Sequence, residues 1–219
     1  MERDISRDYF FDKVPDLYRI EQAISVITFI EDSKKRNKDL EFHLLKKITE
    51  TKRHQEFYIK NTPELQPSNR YSDILPYIDT AVKLFDGCYI NASWIQVPGD
   101  TQKFIATQGP LESTRHSFWQ MVYENDCRLV VMISAVREAG MVKCDQYFPQ
   151  SGSITVGNFS ITTVKSENVF EKLTLRTLEV TNNDTEETRE IIHAQCVAWP
   201  DHGVPDMEED LNVFFTYST

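Results

Sequence analysis

The segment Trp-Pro-Asp-His-Gly-Val-Pro, residues 199–205, places one carboxyl group in a setting suited to acid catalysis. A carboxyl acts as a general acid near neutral pH only if desolvation or a neighbouring negative charge raises its pKa. Trp199 and Pro200 give Asp201 an apolar flank, and the glycine and proline that follow supply turn geometry. The pattern predicts a mobile loop that carries Asp201 as a general acid. Taken alone, the same segment also fits a surface turn anchored by its tryptophan.

The cysteines do not form a recognisable metal or disulfide pattern. Cys88, Cys127, Cys144 and Cys196 are scattered along the chain without a Cys-x-x-Cys pair, so neither a zinc ribbon nor a disulfide framework is indicated. His193 and Cys196 are spaced like half a metal site, but the second half is missing from the sequence. We therefore predict no metal site and no cofactor.

Five further segments precede the acid-bearing loop in a fixed order and resemble a known catalytic domain. They are Asn69-Arg70-Tyr71-Ser72-Asp73-Ile74-Leu75-Pro76-Tyr77, Tyr89-Ile90-Asn91-Ala92-Ser93-Trp94-Ile95, Phe104-Ile105-Ala106-Thr107-Gln108-Gly109-Pro110-Leu111, Ser117-Phe118-Trp119-Gln120-Met121-Val122 and Lys143-Cys144-Asp145-Gln146-Tyr147-Phe148-Pro149. Together with residues 199–205 they resemble the phosphotyrosine-specific protein tyrosine phosphatases. The resemblance covers roughly residues 40–219.

The resemblance implies roles for individual side chains. Tyr71 matches the aromatic residue that stacks on the phosphotyrosine ring, and Asp73 matches the carboxylate that holds the substrate backbone. Asp201 matches the general acid that protonates the leaving tyrosine oxygen. Lys143 matches a lysine near the pocket rim, and Glu138 fits the partner of an arginine in the phosphate loop.

Three residues within these segments, Arg70, Gln108 and Trp199, are predicted to support the site. The two residues that the resemblance assigns to substrate binding also have purely structural interpretations: Tyr71 can pack at the base of a loop, and Asp73 can cap a turn. For Lys143 and Glu138, the interpretation as solvated charges stays open.

The nucleophile that the resemblance implies is absent from the sequence. In this family it is a cysteine in a His-Cys-x5-Arg loop, where backbone N–H groups hold the phosphate and lower the thiol pKa. Six positions after the four cysteines stand Trp94, Ile133, Gln150 and His202, none of which is arginine. We therefore expect a phosphatase domain cut off before its phosphate-binding loop. As given, the chain should be inactive, and it should be marginally stable or prone to aggregate.

Three functional hypotheses follow. The first is the N-terminal part of an enzyme that hydrolyses phosphotyrosine in proteins through a cysteinyl phosphate. The second is a truncated, inactive relative that acts by binding proteins. The third is an unrelated metal-dependent hydrolase using Asp201 and His202, which lacks convergent ligands in the sequence.

Composition limits the partners. The net charge of -10 and the pI near 5.0 disfavour a general nucleic-acid or acidic-membrane binder, because such a surface repels phosphate. The sequence shows neither a signal peptide nor an apolar run of about 20 residues that could span a bilayer. We expect a cytoplasmic protein whose partner is a phosphotyrosine-containing protein or peptide; its oligomeric state is open.

The elements needed to position these groups indicate an α/β or α+β fold: a twisted mixed β-sheet flanked by helices, without its C-terminal part. Residues 1–39 read as an N-terminal helical segment and residues 40–219 as the incomplete phosphatase domain. Helices are predicted around Ile24–Phe29, through Leu40–Ile48, over Glu112–Glu124 and from Asp206. Strands are predicted at Phe104–Thr107, Leu129–Ile133, Ile154–Val164, Leu173–Thr181 and Thr188–Trp199, with a turn at residues 182–184. The unbroken apolar run Leu129–Ile133 predicts a strand covered on both faces.

Overall fold

The computed structural model of the 219-residue chain describes residue 31 and residues 34–52, 58–96, 103–170, 172–197 and 199–200. The chain divides into two compact units, residues 1–58 and 59–219. The division predicted from sequence, after residue 39, stays a prediction. The helices predicted around Ile24–Phe29 and from Asp206 lie outside the described residues.

In the first unit, helix α1 spans Lys38–Lys52 and contains the predicted amphipathic segment. Asp39 and Glu41 lie in its first turn, where negative charge suits the positive end of the helix dipole. The backbone N–H of Leu40 donates to the side-chain oxygen of Asn37 at 3.1 Å, which satisfies one of the free donors at the helix start. Leu40 and Leu45 are more than half exposed, and Leu44 is half-buried.

The second unit is built on a five-stranded mixed sheet, as predicted. Its strands are β3 (Leu129–Met132), β6 (Gly152–Val156), β7 (Phe159–Phe170), β8 (Leu173–Asn182) and β9 (Glu187–Cys196). They lie side by side in the order β3-β9-β8-β7-β6, with β3 parallel to β9 and every other pair antiparallel. The predicted run Ile154–Val164 is therefore two strands rather than one, because Gly157, at φ +59°, turns the chain between them.

Helix α2, Arg115–Glu124, covers one face of this sheet and begins after a 3-10 turn at Glu112–Thr114. It buries Phe118, Trp119, Met121, Val122 and Tyr123. The indole N–H of Trp119 donates to the carbonyl of Tyr147 at 2.8 Å, so this large side chain is buried without losing its hydrogen bond. The predicted helix over Glu112–Glu124 is thus confirmed in its existence and position.

Two small antiparallel sheets complete the described elements. β1 (Ala92–Gln96) pairs with β2 (Lys103–Thr107), and β4 (Arg137–Glu138) pairs with β5 (Met141–Val142). The strand at Phe104–Thr107 was predicted, whereas β1 and the β4–β5 hairpin were not. The turn of that hairpin consists of Ala139 and Gly140, both at positive φ.

The prediction that the strand at Leu129–Ile133 is covered on both faces is wrong for the described residues. Val130 and Met132 are buried, but Val131 is 41% exposed and Ile133 is 52% exposed. The reason is that Val130 and Met132 pack into the core cluster, whereas Val131 and Ile133, on the alternate face of the strand, do not belong to it. Among the described residues, no helix has the length and apolar character needed to cross a membrane.

Candidate functional site

The structure describes seven of the eight predicted site residues, and Asp201 lies outside the described part. Six of the seven, all except Trp199, lie on three segments of the chain that Arg70 joins. Its Nε donates to the carbonyl of Gly109 at 3.0 Å, one Nη to that of Pro110 at 2.7 Å, and the other Nη to that of Val142 at 3.3 Å. A planar guanidinium with several fixed donors suits this role.

Gln108 reinforces the same junction from the side. Its Oε1 accepts the backbone N–H of Arg70 at 2.9 Å, and its Nε2 donates to the carbonyl of Ser68 at 2.9 Å. The amide side chain therefore bridges the end of β2 to the loop on both sides of Asn69. The supporting role in the site that the sequence predicted for Gln108 stays a prediction.

Tyr71 and Asp73 follow Arg70 in an exposed loop. The Tyr71 side chain is 49% exposed and Asp73 is exposed. Two side-chain amides hold the backbone of this loop. Asn91 Nδ2 donates to the carbonyl of Ile74 at 2.7 Å, and Asn61 Nδ2 donates to the carbonyl of Ser72 at 3.1 Å. An exposed phenol ring on a fixed backbone is able to stack on an aromatic ligand.

Asn69 connects these supports into a network that sequence reasoning did not identify. Its Oδ1 accepts from Tyr89 Oη at 2.8 Å and from Asn91 Nδ2 at 2.9 Å, while its Nδ2 donates to Asn61 Oδ1 at 3.0 Å. Asn91 is buried, with 8% of its surface exposed. Its position between Ile90 and Ala92 was the available signal, since a buried amide needs partners.

The β4–β5 hairpin places Glu138 and Lys143 beside this junction. Both side chains are half-buried, and the backbone N–H of Lys143 donates to the carbonyl of Val136 at 2.9 Å. Gly109 packs so tightly here that a Cβ at its position would lie 2.9 Å from the Lys143 carbonyl oxygen. Only glycine allows this approach of two backbones.

Trp199, the seventh described residue, is 43% exposed. The proposal that its ring desolvates Asp201 stays a prediction.

Three of the four cysteines are held in their protonated form. Burial raises the pKa of the Cys144 thiol to about 11, although the neighbouring Arg70 guanidinium opposes the shift. A hydrogen bond to Asp86 raises the pKa of Cys88, and burial raises that of Cys127. A thiol acts as a nucleophile as its thiolate, and a raised pKa lowers the fraction of thiolate at neutral pH.

The half metal site suggested by His193 and Cys196 is a core feature instead. The His193 ring is fully buried against Phe148, with ring centres 4.1 Å apart, and its Nε2 lies 2.8 Å from Tyr147 Oη. Within the described part of the chain, no group of three His, Cys, Asp or Glu side chains is placed to hold a metal ion.

Comparison with known proteins identifies the fold and the family. Residues 65–217 match the family model described as protein-tyrosine phosphatase. The chain belongs to the protein-tyrosine phosphatase family. The crystal structure of the catalytic domain of human protein tyrosine phosphatase non-receptor type 18 is similar to it, with a TM-score of 0.75 and 32% identity, over 82% of this chain and 67% of that one. The α+β fold is that of this catalytic domain.

Two mouse phosphatases that resemble this chain are much longer than the part of them that it matches. It is 37% identical to mouse tyrosine-protein phosphatase non-receptor type 13 over 179 residues, which is 79% of this chain and 7% of that protein. It is 38% identical to mouse non-receptor type 20 over 155 residues, 68% of this chain and 36% of that protein. The chain therefore spans only a minor part of these phosphatases.

A second solved structure shows a related phosphatase with a bound ligand. It is described as PTPN18 in complex with HER2-pY1248 phosphopeptides, and it has a TM-score of 0.66 and 36% identity to this chain. The similarity covers 71% of this chain and 60% of that one.

Proposed function

We propose that this chain supplies the substrate-recognition and general-acid parts of an enzyme that hydrolyses phosphotyrosine in proteins. The observation that carries the proposal is the Arg70 junction, which holds the loop of Tyr71 and Asp73 next to the hairpin that bears Glu138 and Lys143. Tyr71 stacks on the phosphotyrosine ring, and Asp73 accepts hydrogen bonds from the substrate backbone. The phosphopeptide bound to the related phosphatase supports this substrate class.

In the complete domain, we propose transfer through a cysteinyl phosphate. The sulfur of a thiolate forms a bond to phosphorus as the bond to the tyrosine oxygen breaks, and Asp201 gives its proton to that oxygen. Water then attacks phosphorus, gives a proton to the Asp201 carboxylate, and releases inorganic phosphate and the thiolate. Lys143 contributes positive charge at the rim, where the phosphate enters.

The sequence favours a second candidate through one observation, the lack of any cysteine followed six positions later by arginine. A polypeptide of these 219 residues cannot form the thiolate site by that pattern. If this product is what the cell contains, we propose that it binds proteins without turnover.

Intact mass of the native product, combined with turnover of a small aryl phosphate, separates the two candidates. A mass above the 25.5 kDa of this chain, with turnover that thiol alkylation abolishes and that Asp201→Asn lowers by about 100-fold or more, supports the phosphatase. A mass of 25.5 kDa without turnover supports the binding role. Turnover that survives alkylation and needs a metal ion contradicts both.

A further inference from the structure

The β4–β5 hairpin presents two apolar side chains to solvent. Met141 is 57% exposed and Val142 is 44% exposed. The paired residues Glu138 and Arg137 lie opposite them on β4. Methionine adapts its shape to different apolar partners, which suits a contact surface. Neighbouring strand residues point to opposite faces, so Met141 and Val142 are two separate exposed side chains, and we use the name hairpin surface for either of them.

Arg70 fixes this surface next to the recognition loop. The guanidinium that contacts the Val142 carbonyl belongs to the residue directly before Tyr71. On the other side, Gly109 packs against the carbonyl of Lys143, the residue after Val142. The distance between the backbone at Tyr71 and the backbone of the hairpin is therefore limited by the reach of one arginine side chain.

This separation corresponds to a short distance along a bound peptide. An extended peptide advances about 3.3 Å per residue, so the reach of one arginine side chain equals about two residues. A peptide whose phosphotyrosine stacks on Tyr71 would bring a residue two or three positions away to the hairpin surface.

We propose that the hairpin surface binds an apolar side chain located two or three residues from the phosphotyrosine of a substrate peptide. This inference rests on the proposed function and adds a preference to it. Burying apolar surface on both sides of such a contact favours association by about 25 cal/mol per Å². Neither Met141 nor Val142 can offset the desolvation of a charged substrate side chain, and the net charge of -10 repels acidic peptides at longer range.

Binding of four synthetic peptides to the 219-residue chain tests the preference by fluorescence polarisation. One carries phosphotyrosine with leucine at the flanking positions, two replace leucine by glutamate or by lysine, and the fourth is the leucine peptide without phosphate. We expect the phosphorylated leucine peptide to bind at least 5-fold more tightly than the glutamate and lysine peptides.

Substitutions then locate the contact. Neighbouring strand residues point to opposite faces, so Met141→Gln and Val142→Thr are measured separately. At least one should weaken binding of the leucine peptide by about 3- to 10-fold and remove the difference between peptides. Val164→Thr is the matched control, because Val164 is an exposed strand valine on β7, and it should change nothing. Thermal unfolding checks that each variant is folded.

The outcomes separate the hairpin preference from the proposed function. Equal affinity for the three phosphorylated peptides overturns the preference and leaves phosphotyrosine recognition standing. Binding of the leucine peptide that ignores phosphate but weakens in a hairpin variant supports the surface and contradicts phosphotyrosine recognition. If none of the four peptides binds, the surface is overturned, and the proposed function depends on the mass and turnover experiment.

Discussion

His193 is an imidazole with no exposed surface, and this burial predicts how stability changes with pH. Burial and the nearby Arg176 guanidinium lower its pKa to about 3, from 6.5 in a solvated histidine. Between these values the unfolded chain binds a proton that the folded chain does not. Stability therefore rises with pH across this window. As the pH is lowered below 6.5, the contribution of His193 reduces the free energy of unfolding by about 1.4 kcal/mol per pH unit. Between pH 7 and pH 5 the reduction amounts to about 2 kcal/mol.

Urea unfolding at several pH values, repeated with His193→Gln, isolates this contribution from that of the carboxyl groups. The variant should be less stable at pH 7, because it loses the close packing on Phe148, but its stability should fall less steeply toward pH 5. An NMR titration of the native protein gives a second reading that needs no variant. A His193 imidazole that titrates above pH 5 would contradict the prediction.

At the same scale, local patterns in the sequence predicted candidate side chains of the site but did not predict which residues support them. Tyr71 and Asp73 were recognised from the short pattern around them, and the structure places both in one exposed loop. The partners of Asn69 are at positions 61, 65, 89 and 91, and those of Arg70 are near positions 109 and 142. Contacts across such separations depend on tertiary folding, which local patterns do not encode.

The β4–β5 hairpin carries backbone strain that a single substitution should relieve. Ala139 stands at φ +48° and Gly140 at +82° in a two-residue turn. Turns of this kind favour asparagine followed by glycine, whereas alanine in the left-handed region costs about 1 kcal/mol. We expect Ala139→Asn to raise stability by up to about 1 kcal/mol, which thermal unfolding should show as about 2 to 4 °C.

Ala106→Asn provides the matched control, because Ala106 is exposed on β2 and has extended backbone geometry. Asparagine is disfavoured in strands, so this variant should be neutral or less stable. The strain argument fails if both variants shift the melting temperature in the same direction by the same amount.

Elements with a long, regular pattern were predictable, and short ones were not. The apolar residues of α2 and the ten-residue strands β8 and β9 gave clear signals in the sequence. β4 and β5 contain two residues each, fewer than a period of alternation can reveal. β1 was missed because Ala92, Ser93 and Gln96 dilute its apolar character.

For the whole molecule, the exposed side of β3 predicts the solution behaviour of the 219-residue polypeptide. Val131, Ile133 and Val197 are each more than 40% exposed, and β3 has one paired neighbour in the described sheet. Exposed apolar strands at a sheet edge pair readily with other chains. We expect the polypeptide to bind an apolar dye and to scatter light on warming. Val131→Lys should reduce both signals, because a lysine on an edge opposes pairing.

Ile78→Lys is the matched control for Val131→Lys. Ile78 is 50% exposed, like Val131, but lies in a turn rather than on a strand. Both variants add the same positive charge to a chain of net charge -10, so a general effect of charge on solubility would appear equally in the two. A reduction confined to Val131→Lys identifies β3 as the surface through which chains associate. Equal light scattering from both variants would locate the association elsewhere on the molecule.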